Sequence, residues 1–406
     1  MSRQFNHGPS HASLLRDEQA GRVPRSRTRL DAIVVPTARP ASGLQDIITL
    51  SASLSIPLVI LCSQQAQLAQ VAQRVEKTFG ARALVVEVPE NYSLPFDLPG
   101  TSGAEFKQAS ASRSSDLSVK RNLGLLLALM RGWSKIMFVD DDISRIAHPA
   151  VARMTGQLDR HPVASMISRY FPDNSVVCHA RRLVGFKQDV FVSGATLGVN
   201  LRDPRLSFFA DIYNEDWFFF ARHAAARSLP KVGEVQQAEY LPFADPTRAD
   251  EQEFGDLLAE GLYAIFDSMP GSTFEEQLAA ATRPRYWTDF TEIRRAMIDE
   301  TLGALLREQL SASPAGYLDV LDAQRSLQTA EKRAASISAD LCVEFINRWQ
   351  EDEIRWQRTL RSDIHVHSEP DALAELGLPT WTSCGFGTKP RRRRRRFRLG
   401  RDLGAG

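Results

Sequence analysis

From residue 31 onward, apolar and polar positions alternate in blocks. A β-branched run at 31–37 ends in turn residues, a helix-spaced stretch covers 43–54, and an unbroken apolar run follows at 57–62. A Gln/Ala-rich helical stretch at 65–79 leads to a third apolar run at 83–88. Strands that are apolar throughout, separated by helices of about 10–15 residues, predict βαβ units and a parallel sheet covered on both faces. Residues 89–117 break the rhythm with Pro, Gly and a Ser-rich stretch, and so long a loop inside a domain is commonly functional or mobile. Next come a helix over 118–132 and a strand over 135–139. Further strands are expected over 163–170, 175–180 and 190–200, with a helix starting near Asn214.

The character changes after residue 250. Segments 251–268, 274–282, 289–311 and 315–361 are rich in Ala, Leu, Glu, Gln and Arg at helical spacing. The expected fold is α/β: a mostly parallel sheet domain over 30–250, with a helical C-terminal region over 251–367 packed on it. Residues 1–29 lack an apolar period and read as a disordered leader. Residues 368–406 read as a flexible tail that ends in an Arg-rich run.

Composition narrows the class. The chain has 406 residues, 43% apolar and 24% charged, which is too apolar for a disordered protein. Of the net charge of +1, residues 389–406 carry +8 and residues 1–30 carry +4, so 31–388 carry −11. An acidic body argues against a basic folded domain built to grip nucleic acid. Cys62, Cys178, Cys342 and Cys384 lie far apart with no CxxC pair, which excludes a closely spaced zinc site and disfavours a disulfide scaffold. The longest apolar runs, near 54–62 and 123–130, fall far short of the roughly 18–20 residues that span a bilayer. The polar, Arg-rich N-terminus has no apolar core of a secretory signal. A cytoplasmic, reducing setting without a transmembrane segment is the expectation.

The strongest chemical signal follows the run Lys135-Ile136-Met137-Phe138-Val139. A buried strand there delivers Asp140, Asp141 and Asp142 to its carboxyl end, where open α/β sheets bind ligands. Three adjacent carboxylates repel one another unless a cation or donors compensate. Mg²⁺ or Mn²⁺ shared with a diphosphate is the natural compensation, and a solvated acidic loop is the bland alternative.

Other motifs flank the acids in a fixed order. The first strand ends in Val35-Pro36-Thr37-Ala38-Arg39-Pro40, and the helix before the acids opens with Lys120-Arg121-Asn122-Leu123-Gly124. After the acids come Ser193-Gly194-Ala195-Thr196-Leu197-Gly198 and Tyr213-Asn214-Glu215-Asp216-Trp217-Phe218. In that order these motifs resemble the family 2-like glycosyltransferases of GT-A fold, a Rossmann-like architecture, over roughly residues 30–245. The resemblance implies that a sugar moves from a nucleotide-diphosphate sugar to an acceptor hydroxyl with inversion and a divalent metal. It implies Thr37, Arg39, Lys120 and Arg121 at the nucleotide or its diphosphate, with Asn122 fixing their helix. Asp140 matches the first acid of a DxD motif, contacting ribose or sugar and the metal; Asp142 matches the metal ligand, with Asp141 between them. Asp216 matches the catalytic base, with Glu215 beside it, and Gly194, Ala195 and Trp217 belong to the acceptor side.

Chemistry supplies independent reasons for these residue types. Charge grows on the leaving diphosphate, and a divalent cation or a Lys/Arg side chain stabilises it. A carboxylate that takes the acceptor proton makes a hydroxyl a better nucleophile. Small residues let backbone approach a sugar closely. The bland readings are a strand-ending turn at Arg39-Pro40, a solvated helix face for Lys120 and Arg121, and a helix start at Asn214-Glu215-Asp216. Phe218, Phe219 and Phe220 read as core, and His179 and His223 as structural. The family's usual His after the last core strand has no counterpart in the stretch from Glu239 to Asp245, for which Asp245, Glu239 or water is left as substitute.

Two other classes stay open. A sugar-phosphate nucleotidyltransferase would carry a Gly-rich basic loop after the first strand, of which residues 37–43 are a poor version. An inactive scaffold would use the six successive Arg to bind a polyanion or an anionic membrane peripherally, against the plain reading of a solubilising tail.

Overall fold

The computed structural model of the protein describes residues 10–18, 26–95, 100–172, 174–188, 190–309, 314–362 and 364–385. The Arg-rich run, the first nine residues and 19–25 lie outside the described residues, so the expectations for them are not addressed. Among the described residues the strands are β1 (Leu15–Asp17), β2 (Ala32–Thr37), β3 (Leu58–Cys62), β4 (Ala83–Glu87) and β5 (Lys135–Val139). They continue with β6 (Ile143–Ser144), β7 (Val163–Ser168), β8 (Thr196–Asn200), β9 (Leu229–Gln237) and β10 (Trp381–Cys384). Their order in the sheet is β1-β9-β7-β8-β5-β2-β3-β4-β10, with β6 paired to β9 off that path. The neighbours β5-β2-β3-β4 and β7-β9-β1 run parallel, while β8 is antiparallel to both β5 and β7.

The apolar strands bury both faces because helices cover both. Ile33, Val35, Ile60 and Met137 face helices α1 (Gln45–Leu54) and α2 (Leu68–Lys77). The alternate residues Ala32, Val34, Leu61 and Phe138 share a larger core with Leu123 and Leu126, two buried residues that follow Asn122. That core reaches Phe254, Tyr263, Phe345 and Trp349, so the helical region closes one face of the sheet and is no separate unit. The loop expected at 89–117 contains α3 (Ala104–Ala109), whose Phe106 packs edge-on against Phe345. Then come α4 (Leu117–Met130) and α5 (His148–Gln157).

Residues 175–180, expected as a strand, lie in α6 (Val176–Leu183). Ser175 caps it by accepting from the Cys178 N–H, and Val176, Val177 and Ala180 bury against other helices, so a cap and a helical face override β-branched propensity. Two short helices follow, α7 (Glu215–Phe219) and α8 (Ala221–Ala225). The C-terminal region comprises α9 (Thr247–Ser268), α10 (Phe274–Ala281), α11 (Pro284–Gln309), α12 (Pro314–Ser336) and α13 (Ala339–Ser362). The single expected helix over 315–361 breaks at Ile337-Ser338, where the Ser338 hydroxyl accepts from the Leu341 N–H. Residues read as tail also fold: α14 (Glu369–Glu375) precedes β10, which pairs antiparallel with the edge of β4.

Part of the expected leader is ordered as well. β1 adds in parallel to β9, Leu14 is fully buried, and Asp17 meets Lys231 at 2.7 Å. His11 lies in a socket of Phe191, Trp217 and Tyr263, with ring nitrogens 2.6 Å from Asp267 and 2.9 Å from Glu260. Burial alone would lower its pKa, but the hydrogen bonds to Asp267 and Glu260 outweigh burial and raise it from 6.5 to about 9. The folded state therefore holds the proton more tightly than the unfolded chain does. The contribution of His11 should be fully present below pH 6.5 and vanish as pH rises through about 9. We expect wild type to exceed His11→Ala by up to roughly 3 kcal/mol at the low end, shrinking toward high pH. Urea unfolding of both proteins across that range checks it, and a difference that grows with pH would overturn it.

Candidate active site

The carboxyl end of β5 delivers Asp140, Asp141 and Asp142 to one recess, and Asp140 and Asp142 also to a second cleft. Asp141 is enclosed by the end of β2: it accepts from Thr37 Oγ1 at 2.7 Å, the Ala38 N–H at 3.3 Å and Arg39 Nη1 at 2.9 Å. Arg39 Nη1 also lies 2.9 Å from Asp142 Oδ2, and its side chain is half-exposed. Burial pushes the Asp140 carboxyl up to about 6 against the pull of Arg121, with Asp142 and Asp141 adding to the rise.

Helix α4 inserts three polar residues whose side chains diverge. Lys120 is buried, and its ammonium donates to the Thr37 carbonyl at 2.7 Å and Ser63 Oγ at 2.6 Å and pairs with Asp116 at 2.9 Å. Asn122 spends both ends of its amide on the Phe209 backbone, each at 2.8 Å. Arg121 sits between the acids: Nη2 meets both Asp140 oxygens at 3.0 and 2.9 Å, and Nη1 meets Glu215 Oε1. Its guanidinium lies over the Phe209 ring at 5.5 Å. A Cβ at Gly194 would fall 2.6 Å from Nη1, which explains why the 190–195 segment carries a glycine there. Only Thr196–Asn200 of the expected 190–200 strand is extended; before it, the Ala195 carbonyl accepts the Asp140 N–H at 2.9 Å.

Asp216 opens α7 almost fully buried. Its carboxylate accepts from the Gly194 and Trp217 N–H groups, the latter at 2.9 Å. Burial pushes its pKa up to about 7, Glu215 beside it adds to the rise, and Arg121 and the two N–H groups oppose it. Asn214 holds a left-handed conformation (φ 61°), which Asn tolerates better than most residues. Its amide donates to Asp256 on α9 at 3.0 Å.

Helix α9 reads in the sequence as a well-patterned helix that could cover the acceptor side, with no role for any one residue; the structure shows what its residues touch. Gly255 packs directly on the Tyr213 backbone, leaving no room for a Cβ. Arg294 of α11 is fully buried; its Nη2 lies 2.8 Å from Glu253 and 2.6 Å from Asp256. Tyr263 stacks obliquely on Trp217 at 4.3 Å and donates to the Trp217 carbonyl at 2.9 Å. Gly255 and Asp256 look like any amphipathic helix in sequence, because their partners are 38 or more positions away or on another element.

These elements enclose a cleft of about 210 Å³, lined by Arg39, Arg121, Asp140, Asp142, Glu215 and Asp216, with Trp217 and Glu260 at its far end. A second recess of about 220 Å³, lined by Thr37, Lys120, Asp116 and Asp141, shares Arg39, Asp140 and Asp142 with it. Arg113 and Gln237 also line the cleft; Arg113 falls in the Ser-rich segment read as loop, and no sequence signal marked it. Asp245 accepts from the N–H and hydroxyl of Thr247 at the start of α9, and neither it nor Glu239 lines the cleft. His179 bonds to Tyr240 Oη at 3.2 Å, and burial lowers its pKa to about 4. Among the described residues no group of three or more His, Cys, Asp or Glu side chains is disposed to hold a metal by itself.

Removing the Arg294 charge would leave Glu253 and Asp256 buried without their cation. We expect Arg294→Met to lower unfolding stability by about 3–5 kcal/mol. Replacing all three together by Met, Gln and Asn should recover most of that loss. Urea unfolding of both variants tests this, and a single variant as stable as wild type would sink it.

No protein-family model matches the chain, and no curated protein matches it. Among solved structures it is similar to the mannosyltransferase PcManGT from Pyrobaculum calidifontis in complex with GDP-Man and Mn²⁺. The identity is 14%, covering 83% of this chain and 90% of that one, with a TM-score of 0.38.

Proposed function

We propose that this chain is a family 2-like glycosyltransferase of GT-A fold. It would move a sugar from a nucleotide-diphosphate sugar to an acceptor hydroxyl, with inversion and with Mg²⁺ or Mn²⁺. The observation that carries the reading is the position of Asp140 and Asp142 at the junction of two cavities, one of which also contains the buried Asp216. Two substrates meeting across a pair of acids, with a third acid on one side only, is the arrangement a group transfer between two bound molecules requires.

In this reading the diphosphate occupies the recess beside Arg39, and the acceptor enters the cleft toward Trp217. Asp216 takes the acceptor proton as the acceptor oxygen bonds to the anomeric carbon. The bond from that carbon to the diphosphate oxygen breaks, and the electron pair leaves with the diphosphate. One displacement inverts the anomeric centre. A pKa near 7 suits Asp216 to that task, because a base titrating near the working pH is ionised yet still basic. Arg121 and Lys120 act through protein groups: Arg121 orients Asp140 and Glu215, and Lys120 ties the ends of β2 and β3 together.

The residues fit a divalent cation of the open kind. Asp140 and Asp142 supply hard carboxylate oxygens toward both cavities, and two protein carboxylates leave most positions to phosphate and water, as Mg²⁺ prefers. When bound, such a cation neutralises charge on the leaving diphosphate. No described helix is long and apolar enough to cross a membrane. The cytoplasmic setting, and a contact of the Arg-rich run with anionic lipid or another polyanion, rest on sequence alone.

Asp142→Ala should lose metal-dependent donor binding, whereas Asp216→Asn should keep donor binding and lose roughly 10²–10⁴ in turnover. Glu215→Gln is the control, and the larger loss identifies the base. Calorimetric titration of UDP, GDP and CDP sugars with and without Mn²⁺, with initial rates, separates these outcomes; unchanged binding by Asp142→Ala would refute the metal assignment. The pH dependence follows from the same carboxyl, which faces Glu215, Arg121 and Tyr263. The base must be deprotonated, so kcat/KM should fall about tenfold per pH unit below about 7 and level off above it. A profile flat from pH 5 to 8 would remove Asp216 from the role.

A further inference from the structure

The last residue of β9 has a feature that no role above uses. Gln237 pairs with Ile143 of β6, the residue directly after Asp142, and the Ala238 N–H donates to the Asp142 carbonyl at 2.9 Å. That register brings the Gln237 side chain to Asp142: its Nε2 lies 3.4 Å from Asp142 Oδ2. The residue is only 6% exposed and lines the cleft with Asp140 and Asp142. Its carboxamide oxygen Oε1 is buried and has no hydrogen-bond partner among the described residues.

A buried acceptor without a donor is uncommon, and it calls for a partner that the protein itself does not supply. Among the described residues no N–H or O–H reaches Oε1, while the carboxylates of Asp140 and Asp142 line the same cleft as Gln237. Amide oxygen is a hard, neutral ligand of the kind that Mg²⁺ and Mn²⁺ accept. Being neutral, it adds a coordinating atom without adding charge to a triplet already crowded with acids. We propose that Gln237 Oε1 is the third protein oxygen bound to the divalent cation that Asp140 and Asp142 hold. The inference rests on the cation-dependent reading of the site and names which side chain completes it. It also removes the need for Asp245 or Glu239, which lie elsewhere.

Manganese binding tests it without any activity measurement. Free Mn²⁺ is followed by electron paramagnetic resonance during titration of the full chain, with Mn²⁺ alone and with inorganic pyrophosphate. Wild type should bind, and Asp142→Ala should bind far more weakly. Gln237→Ala should weaken binding roughly 10–100-fold, the range seen when support of a metal site is lost. Gln237→Glu should bind at least as well as wild type, because it keeps the oxygen and adds charge. A residue that merely steadies Asp142 through its N–H would give the reverse, since Glu there repels Asp142. Gln237→Leu, close to Gln in shape, replaces the Ala variant if the latter unfolds. If wild type binds and Asp142→Ala does not, but Gln237→Ala and Gln237→Leu match wild type, the inference falls and the cation reading stands. If Gln237→Glu is as weak as Gln237→Ala, the oxygen is no ligand. If wild type and Asp142→Ala are indistinguishable, the cation reading itself falls.

Discussion

The buried guanidinium of Arg121 joins two of the carboxylates that share one cleft, Asp140 and Glu215. Asp140, Asp142, Glu215 and Asp216 come from two ends of the sheet domain, and their mutual repulsion opposes bringing them together. Arg121 meets Asp140 with one nitrogen and Glu215 with another, so the acid-bearing end of β5 and the start of α7 are joined through one charge. Burial would lower its pKa, yet Asp140, Glu215 and Asp216 raise it above its ordinary value and keep it charged. The surrounding sequence serves that contact: Gly194 leaves it space, Phe209 lies beneath it, and Asn122 holds the Phe209 backbone. An uncharged replacement would strand buried acids, which costs more than the pair contributes when intact.

The helical region repeats the same device one layer out. Arg294 joins Glu253 and Asp256 as Arg121 joins Asp140 and Glu215, and Asp256 passes the constraint to Asn214, the residue before Glu215. Gly255 brings α9 against the Tyr213 backbone, and Tyr263 holds the Trp217 carbonyl. The stretch from Tyr213 to Trp217 is therefore clamped from the sheet side and from the helix side. Its left-handed Asn214 is held by packing that lies far away in sequence, and a segment so determined can keep Asp216 buried and aimed at the cleft.

How much was legible in the sequence follows from how local each signal is. Runs such as Leu58–Cys62 and, after its opening lysine, Lys135–Val139 are apolar because both faces are covered, so strand type and parallel pairing could be read directly. The Asp triplet was legible because a buried strand must end somewhere, and three acids mark that end. Val176–Leu183 misled because β-branched residues begin it, while its cap at Ser175 and its burial against other helices decide the outcome. Leu15–Asp17 and Trp381–Cys384 are short edge strands whose pairing partners are more than 200 positions away, and no local pattern announces them. Gln237 and Asp256 are the harder case. An ordinary polar residue becomes part of a site only through register and close packing, neither of which periodicity encodes.

Clustering acids in a low-dielectric cleft also sets a direction for what the site can bind. Burial raises Asp140 to about 6 and Asp216 to about 7, both well above the ordinary carboxylate range. A positive charge beside Asp140 favours its ionised form, as Arg121 does here. The rise at Asp216 comes from burial first and then from the neighbouring Glu215. Arg121 compensates Asp140 and Glu215 directly, while Asp216 accepts from two backbone N–H groups. In the proposed function, the end that would hold a cation and the end that would accept a proton are thus separated by which acids Arg121 touches.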